Sequence, residues 1–180
     1  MTLIQRAADL TAVAFVGTKK TAEHSIKVFE FLKNRFGVED EELLAAGMCH
    51  DLLEDTDVTE LELEKSTSKH VAELVKEISH AKGASRAEKM ELYRRLPLVS
   101  DEAKLVKLAD YLANLEWNIE VIRSGQIEKF PFLRDSTDYM AALRVFLDST
   151  RATFPDATLL VFETMLEVER FVRSEKKIVE

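Results

Sequence analysis

His50-Asp51-Leu52-Leu53-Glu54-Asp55 is the stretch on which the reading of this sequence turns. On a helix, adjacent His50 and Asp51 project about 100° apart and reach one ion from two sides. Glu54 lies four residues after His50 and three after Asp51, and Asp55 lies four after Asp51, so all four side chains make one patch at a helix C-terminal end. The approach to it, Ala45-Ala46-Gly47-Met48-Cys49, is apolar and reads as buried. Four ionisable groups at the end of a buried helix are costly unless a cation neutralises them.

Two other places complete the set. Lys107, Asp110 and Asn114 are spaced by three and four, hence on one helical face, beside a buried flank marked by Leu108, Leu112 and Leu115. An acid bracketed by a lysine and an amide suits a metal ligand flanked by phosphate- or sugar-binding groups. His24 shares an inward stripe with Val28, Phe31 and Leu32. A lone inward histidine is more often a hydrogen-bonded core residue; it is the conjunction that makes it a ligand. Two imidazoles and two carboxylates from three helices suit a first-row divalent ion with positions left open for water. Such an ion acidifies water near neutral pH and offsets phosphate charge. Glu54 or Asp55 is then placed to orient or deprotonate that water. His70 and His80 fall outside the pattern and read as solvated or structural, and Cys49 as a small buried apolar residue.

Outward from these motifs the period is helical nearly throughout. A first stripe (Leu3, Ala7, Leu10, Ala14) ends near Gly17, and a second helix covers residues 21–36, with Gly37 as its stop. A third runs over residues 40–53, its acidic start (Asp40, Glu41, Glu42) suited to a helix N-terminus. A polar turn follows, in which Thr59 and Glu62 can form a capping box. Helices are expected over 69–78, 86–95 and 101–123, the last burying Leu105, Leu108, Leu112, Leu115 and Ile119. Two scaffold helices close the pattern, over 136–153 and 156–177; their aromatic residues (Phe130 and Phe132 before them, then Phe146, Phe154, Phe162 and Phe171) read as core or a self-association surface that would make a homo-oligomer. With 5 glycines and 3 prolines in 180 residues, there is little material for hairpins. The fold class is all-α, one domain over residues 1–180, with the motif core in 7–118 and a helical scaffold in 119–180.

Composition narrows the partners. The chain is 46% hydrophobic and 32% charged, as ordinary globular proteins are. Its net charge of −8 and lack of a dense basic run disfavour nucleic acid. A small polyphosphate remains compatible, given a metal ion and a few lysines. No apolar run approaches the ~20 residues that span a bilayer, so no membrane partner is expected. A single cysteine fits a reducing compartment, and residues 1–10 lack the apolar centre of a signal peptide, so the expected location is cytoplasmic.

The order His24, His50-Asp51, Asp110 resembles the H…HD…D pattern of the HD phosphohydrolase superfamily. The strings HDLLEDTDVT (50–59) and KLVKLAD (104–110) with Asn114 look like the hydrolase domain of RelA/SpoT-type enzymes, and the layout is similar to small stand-alone alarmone hydrolases over residues 7–118. The resemblance implies an HD-domain helical bundle that binds Mn²⁺ through His24, His50, Asp51 and Asp110. It implies Glu54 and Asp55 as the catalytic acidic pair, and Lys20, Lys89, Lys107 and Asn114 as nucleotide contacts. The implied reaction removes the 3′-pyrophosphate from guanosine-3′,5′-bis(diphosphate). There are departures: Lys19-Lys20 stand only four or five residues before His24, Ser25 replaces a proline, and Tyr111 and Ala113 replace residues common in the family. These bear on base recognition and leave the metal set intact. Two other functions share the motifs: a nucleotidase or phosphatase for another phosphorylated nucleotide, and a non-catalytic nucleotide-binding regulator. The retained Glu54 and Asp55 argue against the regulator, which needs no water-orienting pair.

Overall fold

The computed structural model describes residues 1–18, 21–126 and 137–179, side chains excepted at 137 and 173–179. Helices carry the architecture, with no strand among the described residues: α1 (Leu3–Ala14), α2 (Glu23–Asn34), α3 (Glu41–Cys49), α4 (Leu52–Asp55), α5 (Glu60–Ser66), α6 (Lys69–Ile78), α7 (Arg86–Arg95), α8 (Asp101–Arg123), α9 (Thr137–Thr150) and α10 (Pro155–Val179). A short 3₁₀ turn, Leu96–Leu98, joins α7 to α8.

Local chemistry explains most of the boundaries. Thr2, Thr59 and Ser85 each make a full capping box with the residue three positions on, and Asp40, Ser68 and Ser100 accept from first-turn amides. Caps of this kind contribute about 1 kcal/mol each. Gly37, at φ 69°, turns the chain after α2, a conformation that costs glycine nothing.

The helix expected over 40–53 is in fact two. α3 ends at Cys49, His50 is its C-cap, and Asp51 is the N-cap of α4. The amides of Glu54 and Asp55 both turn back to the Asp51 carbonyl, tightening the chain there. The break frees the His50 carbonyl from the helix ladder, and the Ser79 hydroxyl donates to it at 3.4 Å. α8 also differs from the one-sided helix the sequence suggested. It is buried at every position from Val106 to Ala113, because α2, α3, α6 and α10 all pack on it. The other contacts dock α1 and α6 on α3, α5 on α6, and α9 on α7 and α10.

One close approach positions the site. A Cβ added to Gly47 would stand 2.3 Å from Leu32 Cδ1, so the glycine lets α2 lie directly against α3. That contact brings His24, in the first turn of α2, to the end of α3 where His50 sits. Phe146 is fully buried, whereas Phe130 and Phe132 lie outside the described residues.

Candidate active site

The α2 start, the α3–α4 break and the middle of α8 converge. Ligand atoms of His24, His50 and Asp51 all lie within 4.8 Å of one another. Asp110 joins them: its Oδ1 is 2.9 Å from His24 Nε2 and 3.6 Å from His50 Nε2. The four residues expected as ligands are therefore together, and the two imidazole rings meet edge-on at 5.1 Å.

His50 is oriented from behind. Its Nδ1–H donates to the Gly47 carbonyl at 2.9 Å, which turns Nε2 toward the cluster. There Nε2 is buried, 3.1 Å from Asp51 Oδ1, yet makes no hydrogen bond of acceptable geometry with any described residue. A buried nitrogen left so among carboxylates suits a metal ligand, and a hydrogen bond from the opposite ring nitrogen is the usual way such a ligand is held. The donor set of two nitrogens and two carboxylates fits a divalent transition ion.

The charges are strongly interdependent. Burial opposes a charge on His50, but the Asp51 and Asp110 carboxylates outweigh it and hold the imidazole well above its ordinary pKa. Burial likewise works against the ionised carboxylates, but His50 drives Asp51 below its usual range, and Lys107 with the two histidines drives Asp110 far lower. Lys107 and Asn114, expected as nucleotide contacts, are both engaged by Asp110. Lys107 Nζ is 2.7 Å from Oδ2, and Asn114 Nδ2 donates to Oδ1 at 2.6 Å. With Lys107 only 9% exposed at the side chain, the pair acts first to hold Asp110 ionised and in place.

Glu54 and Asp55 are half-buried on α4 beside this cluster. Burial raises the Glu54 carboxyl above the usual range, against the pull of Lys107 and His80. Lys89 is half-buried on α7, and Lys20 lies outside the described residues. Cys49 is inert: burial pushes its thiol up to about 12.

Sequence reasoning missed His80. Its ring Nε2 is 2.9 Å from Glu54 Oε2, and its backbone N–H donates to Oε1 at 3.1 Å. A separation of 26 residues and a non-helical segment between α6 and α7 leave no spacing signal for this contact. His70, by contrast, pairs with Glu102 at the surface.

The HD domain family model matches residues 3–129 of the chain. Guanosine-3′,5′-bis(diphosphate) 3′-pyrophosphohydrolase MESH1 of Homo sapiens is 40% identical over 93 residues, covering 51% of this chain and 52% of that protein. The Danio rerio protein of the same name is 39% identical over 93 residues with the same coverage. The chain thus matches about half the length of these curated relatives. Among solved structures, a metazoan ortholog of SpoT, described as hydrolysing ppGpp, superposes with a TM-score of 0.73 at 23% identity, covering 93% of this chain and 96% of that one. A Listeria monocytogenes EGD-e structure superposes with a TM-score of 0.63 at 23% identity, over 79% of this chain and 95% of the other. Both share the fold.

Proposed function

The chain belongs to the HD domain family, and from that premise we propose that it is a divalent-metal-dependent phosphohydrolase of a small phosphorylated nucleotide. The preferred substrate is guanosine-3′,5′-bis(diphosphate), ppGpp, from which it removes the 3′-pyrophosphate. His24, His50, Asp51 and Asp110 hold the ion, Mn²⁺ by preference, and the protein works in the cytoplasm. The observation that carries this reading is the buried, unbonded His50 Nε2 facing Asp51 and Asp110, beside a carboxyl whose pKa is raised.

The chemistry divides among named groups. When bound, the ion supplies acidification of water and neutralisation of phosphate charge. Gly47 and Lys107 hold His50 and Asp110 in position from behind. Glu54, whose carboxyl burial lifts above the usual range, accepts the proton of the attacking water as general base in its ionised form. Asp55, next on α4, orients that water. Lys20 and Lys89 contact the phosphates, and Lys107 and Asn114 border the nucleotide through their hold on Asp110. The similarity to proteins named as ppGpp 3′-pyrophosphohydrolases supports the substrate, and the net charge of −8 disfavours a nucleic-acid one.

The test is a nucleotide panel with Glu54→Ala alongside. Wild-type protein with Mn²⁺ should turn over ppGpp in preference to GTP, NADPH and nucleoside monophosphates. Glu54→Ala should lose roughly 10²–10⁴-fold in kcat while still binding nucleotide. Unchanged turnover in that variant would mean that the base has been wrongly assigned.

A further inference from the structure

We propose that His80 is a positioning residue of this site, fixing the Glu54 carboxylate through both of its oxygens. The inference rests on the reading of Glu54 as the general base. It deepens that reading by naming what holds the base.

Residue 80 reaches Glu54 twice, by its backbone N–H to Oε1 at 3.1 Å and by ring Nε2 to Oε2 at 2.9 Å. The other ring nitrogen, Nδ1, is 3.0 Å from the Ala81 carbonyl. A carbonyl only accepts, so Nδ1 carries a hydrogen and the ring cannot turn over without losing that bond. With Nδ1 so engaged, Nε2 and Oε2 form a hydrogen bond when the ring or the carboxyl carries a further proton. Side-chain exposure is 10% for His80 and 14% for Glu54, so the contact is largely desolvated and strong for it. The segment is itself anchored: the Ser79 hydroxyl donates to the Val75 carbonyl at 2.7 Å and to that of His50 at 3.4 Å. One turn of chain thus ties the general base to the backbone of a metal ligand.

His80 also lines a groove of about 860 Å³, together with Leu53, Val58, Lys76 and Arg95. Truncating the ring removes the contact to Oε2 and leaves the carboxylate held by the backbone N–H alone of the two.

The experiment compares His80→Ala and His80→Gln with wild type, in Mn²⁺ with ppGpp. Gln places an amide N–H near the position of Nε2. His80→Ala should lower kcat by about 10–100-fold, the usual effect of losing a group that orients a functional side chain, with KM and Mn²⁺ affinity unchanged, and His80→Gln should recover most of the loss. A second readout needs neither metal nor turnover: in metal-free protein, the ¹⁵N shift of His80 Nε2 should move on Glu54→Gln. Wild-type kcat in His80→Ala, failure of Gln to rescue, or an Nε2 shift indifferent to Glu54 would each overturn the inference. Should His80→Ala not fold, the Gln variant and the ¹⁵N shift decide it. Failure of the functional reading looks different: wild type itself would hydrolyse none of the nucleotides.

Discussion

Replacing Asp110 with asparagine keeps its shape and removes its charge, and the structure says what that should cost. Lys107 Nζ lies 2.7 Å from Asp110 Oδ2, with side chains 9% and 6% exposed. At an effective dielectric of about 20, two charges at that distance attract by about 6 kcal/mol. Desolvation cancels much of this when both partners are present, since each buried ion costs several kcal/mol. Remove one partner and the cost remains without the attraction. Glu54 also favours the Lys107 charge, but less than Asp110 does. The expected loss is about 3–5 kcal/mol, which for a chain of this size lowers Tm by roughly 6–20 °C. Calorimetry in chelator isolates the effect from metal binding. Lys107→Met together with Asp110→Asn should recover most of the stability, because the pair then leaves no buried charge. A loss under about 1 kcal/mol, or a double variant no better than the single one, would refute the view that Lys107 exists chiefly to balance Asp110.

Two further outcomes follow from the same cluster. His50 is held protonated near neutral pH by Asp51 and Asp110, so its raised pKa stabilises the metal-free protein fully below the unfolded value of about 6.5 and loses that contribution as pH rises through the folded value. The two lowered carboxylates work oppositely, stabilising above about 3.9 and losing this as pH falls through their folded values. Metal uptake at pH 7 should therefore release a proton, seen as a binding enthalpy that varies with buffer ionisation heat, and affinity should rise with pH; a buffer-independent enthalpy would contradict the assignment. Gly47→Ala should weaken metal binding measured by calorimetry, since the added Cβ meets Leu32 at 2.3 Å and pushes α2, with His24, away from His50. The gain of about 1 kcal/mol in helix propensity is set against about 1–3 kcal/mol of overpacking, so unchanged affinity would show that the two helices are not tightly registered.

Much of this was legible in the sequence, for identifiable reasons. α6, α7 and α8 run over the spans expected, because Ser68, Ser85 and Ser100 announce their starts. That His24, His50, Asp51 and Asp110 come together was readable because His24 and Asp110 sit on helices whose apolar stripes fix their direction, and His50-Asp51 close the apolar run of α3. What local pattern could not give is tertiary. The helix break at His50-Asp51 is accompanied by a hydroxyl from Ser79, 29 residues away, on the freed carbonyl. The burial of α8 around its whole circumference depends on how many helices surround it. Lys107 and Asn114 were placed on the right face, but their engagement with Asp110 is a matter of side-chain geometry. His80 carried no signal at all, since only the folded chain returns the segment after α6 to Glu54.

The central claim is tested most directly by identifying the products when Mn²⁺-loaded protein meets ppGpp. The account predicts equal amounts of GDP and pyrophosphate, abolished by chelator and by Glu54→Ala. Intact ppGpp, or release of inorganic phosphate alone, would contradict it.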